Sequence, residues 1–426
     1  MTTAVDQAPT RAATSSVAVR GWKAPIAFGI FALLAIVLFV VLGRDGTSSF
    51  RLAAGNDFFA LPDLPFPTRA TGVVVAVVTV ALTVLAVVLT RSGRRIPLWL
   101  STVFALVFLI GFLVWASAGA TLPVSGLLLG TVGLATPLIF GSLGGVISER
   151  VGVVNVAIEG QLLAGAFTAA MVGSLTRQPV LGLVAAMVAS VLVSFVLASF
   201  AIKYVVDQVI VGVVLNVLVT GLTSFLYSQV LTADASTFNS PVKFDRLPIP
   251  VLSQIPIVGA VLFNQTVIVY LMYFAIFAVW WGLFKTKWGL RLRAVGEHPQ
   301  AADTVGIDVA RTRFWNVSLA GAIAGIGGAY YTLDAVGAFG KEMTAGAGFI
   351  ALAAVIFGRW DPIRATLASL LFGFATNLQN VLGVIGSPVP SEFMLMLPYV
   401  VTIFAVAGLV GQSRGPAAAG KPYLKH

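Results

Sequence analysis

The chain has 426 residues, 58% of them hydrophobic and only 10% charged, with a net charge of +10 and a mean hydropathy of +0.98. Soluble domains carry about 25% charged residues, so a water-soluble fold is excluded. With no cysteine and only His298 and His426, a disulfide framework, a thiol nucleophile and a cysteine- or histidine-ligated metal or haem are excluded too, and no cofactor is expected in this chain.

Residues 1–24, rich in Ala, Thr and Ser, read as a disordered cytoplasmic tail. Twelve apolar segments follow, near 25–43, 70–90, 97–118, 122–143, 153–174, 179–201, 207–231, 265–284, 314–333, 345–358, 363–384 and 394–411. Most approach the roughly 20 residues that span a bilayer as a helix, and none shows the alternation of a barrel strand. The predicted fold is all-α, a polytopic membrane bundle of about 10–12 transmembrane helices. The first segment is too long for a signal-peptide core and has no A-x-A-like exit, so it reads as a retained anchor. Residues 25–120 form an N-terminal group of helices, 121–411 a core, and 412–426 a second cytoplasmic tail.

Loops alternate sides, and with the N-terminus inside, nineteen of the 26 Lys/Arg fall on the cytoplasmic side and seven outside. The positive-inside rule therefore places both termini inside a cell inner or plasma membrane. The same rule accounts for the net charge without nucleic acid as a partner. Loops 44–69 and 232–264 lie outside, the second rich in proline and suited to cap the outer face.

Three stretches invite broken or re-entrant helices, which are tolerated only against protein or a water-filled path. Residues 122–143 are interrupted by Pro123, Gly126, Gly130, Gly133, Pro137 and Gly141; 345–358 are short; 144–155 hold Ser148, Glu149 and Arg150 between apolar flanks. Ordinary short loops are the competing reading.

Residues 285–313, KTKWGLRLRAVGEHPQAADTVGIDVARTR, form a basic segment between apolar runs, with six Lys/Arg against Glu297, Asp303 and Asp308. Pro299 suits a first helical position, Pro299–Val305 gives about two turns, and Gly306 is placed to cap the end. Ala301, Ala302 and Val305 share one face. Such a helix either lies as an amphipathic loop or docks into a partner.

The chain's one phosphate-motif candidate is Gly415–Pro422, which fits G-x-x-x-x-G-K but ends in proline where a magnesium-ligating hydroxyl is required. It follows a span, not a strand. Nucleotide binding by this chain is not expected, and an ATP-driven process would need a separate ATPase.

Three strings carry a resemblance. GLRLRAVGEHPQAADTVGIDV (289–309) resembles the cytoplasmic coupling loop of ABC-importer permeases of the branched-chain amino-acid, simple-sugar and nucleoside superfamily. SERVGVVNVAIEGQLLAGAF (148–167) resembles the signature of its nucleoside and simple-sugar branch. GAGFIALAAVIFGRWDP (346–362) is similar to the pattern that follows the coupling loop. Their order and spacing agree, and the resemblance covers about 122–411; residues 1–120 match less well. It implies a heterodimeric or homodimeric pore with a second permease subunit, the heterodimer favoured, a cytoplasmic ATP-binding subunit and an extracytoplasmic substrate-binding protein. By position, Gly296, Glu297, Pro299, Ala301, Ala302 and Gly306 would form the ATPase-coupling helix.

Asn155 and Glu159, spaced i, i+4 in an apolar run, share a helical face. A carboxylate within the membrane marks a path or a buried pair, and Arg150 could reach Glu159 only across a break. Gln208, Asn216 and Asn316 could line a path or bond neighbouring helices. The functional expectation is a non-enzymatic permease subunit of an ATP-driven importer for nucleosides, or for simple sugars. A gradient-driven secondary transporter and a branched-chain amino-acid permease are the alternatives, the former disfavoured by the lack of a half-to-half repeat.

Overall fold

The computed structural model describes residues 22–424 except 54, 56, 60, 95, 388, 391, 394, 395 and 397–414. The tail expected over 1–24 and the segment expected at 394–411 lie almost wholly outside the described residues. The chain divides into two compact units, Met1–Ser49 with Pro65–Ala120, and Phe50–Leu64 with Thr121–His426.

The first unit holds α1 (Lys23–Val41, π-helical from Ile36), α2 (Thr68–Arg91) and α3 (Leu98–Ala116). Each is apolar around its whole circumference and has only 28% of its span residues buried, a surface suited to lipid and not to water. Contact within the unit relies on rings and glycines. Phe28 stacks on Phe104 with centroids 4.2 Å apart, and Gly72 and Gly111 leave room for Phe39 and Val75. Trp115 closes one end by donating to the Leu42 carbonyl at 2.9 Å.

The second unit is built on α4 (Val124–Arg150), α5 (Ile158–Thr176), α6 (Pro179–Lys203) and α7 (Gln208–Leu231). Two short helices, α8 (Ala235–Phe238) and α9 (Val258–Leu262), precede α10 (Val267–Lys285). After α11 (Lys287–Glu297) and α12 (Pro299–Thr304) come α13 (Val309–Tyr330, extended as a π-helix to Ala335), α14 (Ala347–Phe357) and α15 (Pro362–Val384). Residues 50–64 belong to this unit although the sequence groups them with the first helices: the Phe58 N–H donates to Gln254 O at 2.8 Å.

Among the described residues, nine helices are long and apolar enough to cross a membrane. Helix α13 is long enough but rich in glycine, and it is enclosed by α4, α5 and α6. Small residues set these approaches, as they do where lipid offers no hydrophobic drive between helices. A methyl group at Gly325 would lie 2.6 Å from Ala186 O, one at Gly144 2.6 Å from Ala320 O, and one at Gly328 would overlap Leu162 O.

The break expected within 122–143 is absent. Helix α4 runs unbroken through Pro137 to Arg150, because its glycines receive neighbours and do not interrupt the backbone: Gly141 faces Ala351 and Ile158, and Gly145 faces Val355. The chain breaks later, at 151–157, where Gly152 has φ +95°. The short segment at 345–358 is a half-helix. Eleven residues of α14 rise about 16 Å, half of the about 30 Å hydrocarbon core.

The loop 232–264 covers the ends of α5 and α13. Its strand β1 (Arg246–Pro248) pairs antiparallel with β2 (Asn264–Thr266), Leu247 opposite Gln265. Asn239 exchanges two hydrogen bonds with the Phe339 backbone, at 3.0 and 2.7 Å, and Phe244 N donates to Leu333 O at 2.9 Å.

Candidate functional site

The turn at 151–157 is buried, so its backbone groups need partners inside the protein. They come largely from side chains that the sequence marks as path candidates. Gln208, in the first turn of α7, accepts from Val154 N at 2.7 Å. Asn216, two turns on, accepts from Gly160 N and donates to Val156 O, both at 2.8 Å. Asn155 donates to Gln161 Oε1 at 3.1 Å, and Gln161 donates to Ser194 Oγ at 2.9 Å. Asn155 is in the turn, ahead of the helix that begins at Ile158, so it does not share a helical face with Glu159. Asn155, Gln208 and Asn216 thus converge on one turn and direct their polar atoms at protein groups. Replacing Asn216 by alanine strands Gly160 N and Val156 O, at about 1–3 kcal/mol for each unmet group. The expected result is a lower unfolding midpoint in detergent and faster hydrogen exchange at 156–160; unchanged exchange there would contradict the assignment.

Glu159, in the first turn of α5, reaches across to the start of the half-helix. One carboxylate oxygen accepts from Thr344 Oγ1 at 2.6 Å and Gly346 N at 2.9 Å, and the other from Gly348 N at 2.6 Å. Gly346 is the N-cap of α14, with φ +83°, and a methyl group at Gly348 would overlap Glu159 N. A helix start exposes unpaired N–H groups and the positive end of its dipole. A carboxylate supplied from another helix satisfies both, and this explains why an acidic side chain is stable in an apolar run.

Arg150 does not pair with Glu159. Its Nε donates to Trp360 O at 2.9 Å, while the Trp360 indole donates to a Glu149 carboxylate oxygen at 2.5 Å. Trp360 sits in the turn that ends α14, with φ +55°. The stretch 149–159 therefore grips α14 at both ends, Glu159 at its start and Glu149–Arg150 at its finish. Asn316 is elsewhere: it donates within its own helix to Thr312 O at 2.7 Å, and its buried Oδ1 has no partner among the described residues.

The segment 285–313 folds as two short helices. Thr286 caps α11 by accepting from Gly289 N at 3.2 Å. Pro299 opens α12, which ends at Thr304, one residue before the expected end, and Gly306 turns the chain with φ +84°. The expected face is divided: Ala302 is buried, whereas Ala301 is exposed and Val305 is 74% exposed. Gly296 lies against the Arg150 carbonyl so closely that no side chain fits. Glu297 accepts from Ala417 N at 3.2 Å. One backbone contact thus joins this segment to the residues that hold Trp360.

Residues 127–406 match the family described as "Branched-chain amino acid transport system / permease component". The chain belongs to this permease family. It is similar to the guanosine ABC transporter permease protein of Bacillus subtilis (strain 168), 41% identical over 308 residues, which covers 69% of this chain and 95% of that one. It is also similar to the nucleoside ABC transporter permease protein of Lactococcus lactis subsp. cremoris (strain MG1363), 42% identical over 302 residues, 68% and 94% of the two chains. No solved structure matches. The permease is a multi-pass membrane protein and a transport component rather than an enzyme.

Sequence reasoning about the permease did not find Thr344 or Trp360 at the ends of the gripped half-helix, nor Gln161 as the partner of Asn155. A usable signal was present. The two resembling strings are complementary: 148–167 carries Glu149 and Glu159 in an apolar run, and 346–362 carries the glycines of a helix start and the indole of Trp360.

Proposed function

We propose that the permease is the transmembrane subunit of an ATP-driven ABC importer that carries nucleosides across a cell inner or plasma membrane, with both termini cytoplasmic. The nucleoside assignment is supported by the relatives at 41% and 42% identity, named as guanosine and nucleoside ABC transporter permeases. The orientation is supported by the Lys/Arg excess on one set of loops. A cytoplasmic ATP-binding subunit, a second permease subunit and an extracytoplasmic binding protein complete the importer.

The observation that carries the mechanism is the contact of Gly296 with the Arg150 carbonyl. Movement of α11–α12, imposed by the ATP-binding subunit, passes through a backbone contact that cannot be compressed. From Arg150 it reaches Trp360 and the finish of α14, whose start is fixed by Glu159. The half-helix then moves with the junction of α4 and α5 and alternates access across the membrane. Within 285–313, Gly296 and Gly306 set the backbone path, Pro299 starts the helix, Ala302 anchors it, and exposed Ala301 faces the ATP-binding subunit.

The test is copurification of the permease with its coexpressed neighbours. Replacement of Glu297–Gly306 by a Gly/Ser linker is expected to release the ATP-binding subunit and to end ATP-dependent nucleoside uptake. Unchanged association, or uptake by the chain alone driven by an ion gradient, would overturn the reading.

A further inference from the structure

The string Gly415–Lys421 imitates a phosphate-binding motif, and the structure gives its glycines a different use. Gly415 lies against the Trp360 ring, where a methyl group would approach to 2.9 Å. Gly420 has φ +75°, in the left-handed region that glycine enters at least cost. Around it, Ala419 N donates to Pro416 O at 3.0 Å and Lys421 N to Ala418 O at 3.1 Å. The segment is therefore a compact turn, not a phosphate cradle.

Its outward bonds fall on three separate elements. Ala418 N donates to Gly296 O at 2.9 Å and Ala417 N to the Glu297 carboxylate at 3.2 Å, both at the end of α11. The Lys421 carbonyl accepts from Arg313 Nη1 at 3.0 Å, at the start of α13. The Tyr423 hydroxyl hydrogen-bonds Asp303 of α12; desolvation first, and then that bond and the Asp303 charge, hold it above its ordinary pKa. Ala418 is 4% exposed and Arg313 only 1%. Arg313 Nε and Nη2 have no partner among the described residues, so the Lys421 carbonyl is the one acceptor that this buried guanidinium has there.

We propose that residues 415–424 are a fixed strap that ties α11, α12 and α13 to the Trp360 turn of the half-helix, and that transport needs the strap for transmission, not for seating the ATP-binding subunit. The inference rests on the coupling role proposed for 285–313. The Gly296–Arg150 contact can push but cannot pull, since it is purely repulsive at short range. The strap supplies the tension: a segment bonded to Gly296 and Glu297 and packed on Trp360 returns the half-helix when the ATP-binding subunit draws α12 away. The strap lies just beyond residue 406, where the match to the permease family ends.

The experiment uses the whole importer in liposomes, loaded with ATP, with radiolabelled guanosine as the probe. Three permeases are compared with the wild type: one ending at Arg414, one with Gly420→Val, and one with Asp303→Cys and Tyr423→Cys joined by a bifunctional maleimide. This chain contains no natural cysteine, so the permease is cross-linked alone, before the importer is assembled, and only the two introduced thiols react. Truncation and Gly420→Val are expected to leave the ATP-binding subunit bound and ATP hydrolysis continuing while uptake falls about tenfold, within the range of allosteric couplings. The cross-linked permease is expected to keep uptake near the wild-type rate. Undiminished uptake on truncation, release of the ATP-binding subunit on truncation, or arrest by the cross-link would each overturn the strap. If truncation prevents folding, the Gly420→Val and cross-linked forms decide in the same way. Retention of the ATP-binding subunit after the Gly/Ser replacement of 297–306 would instead overturn the coupling reading itself.

Discussion

Replacing Glu159 by alanine is expected to abolish uptake and to destabilise the purified permease by about 3 kcal/mol or more, because three neutral donors lose their acceptor at once. The substitution strands Thr344 Oγ1 and Gly348 N, which are buried, and Gly346 N, which is half-buried, and each unmet donor costs about 1–3 kcal/mol. It also uncovers the positive end of α14. Glu159→Gln is expected to fall between, because the amide oxygen still accepts while its NH2 group opposes a donor. Thermal unfolding in detergent, followed by uptake in liposomes, checks both. The pattern that contradicts the clasp is specific: an unfolding midpoint that does not move, together with a raised KM, would mean that Glu159 touches cargo instead of α14.

Gly328→Val should be as severe for a different reason. A Cβ there would run into Leu162 O, Ala166 N and Gly165 Cα, and these are backbone atoms of α5 that cannot rotate away. Overpacking a core costs about 1–3 kcal/mol when side chains can adjust; against backbone, α5 and α13 must separate, and a larger cost is expected. Size-exclusion profiles of the solubilised permease would show loss of the monodisperse peak. Gly221→Ala in α7 is the control, since a Cβ there meets nothing within 4 Å and alanine favours helix by about 1 kcal/mol. A normal profile for Gly328→Val would mean that α5 and α13 are not in the contact described.

The contrast between these two sites marks what the sequence could convey. Spans are legible because a bilayer forces each one to be an apolar helix, and eleven of the twelve predicted segments have a helix at their place. The caps of α12 are legible because Pro299 and Gly306 act through local backbone geometry. The continuity of α4 was not legible: a glycine that breaks a helix and a glycine that admits a neighbour are the same letter, and only Ala320, Ala351 and Val355 decide between them. Nor was the partner of Glu159, which lies 185 residues away at Thr344 and leaves no periodic trace. Arg150 was the nearest opposite charge in the sequence, but charge proximity along the chain is not proximity in space. The orientation of Ala301 and Val305 also depended on docking against distant residues, so a helical wheel could not assign it.

The grip of Glu159 on α14 also bears on selectivity. A half-helix that begins inside a membrane protein ordinarily offers its free N–H groups to a passing anion. In this permease that place is occupied by a carboxylate of the protein itself. The N–H groups at the start of α14 are thus spent on the protein's own side chain and are not on offer to an anion.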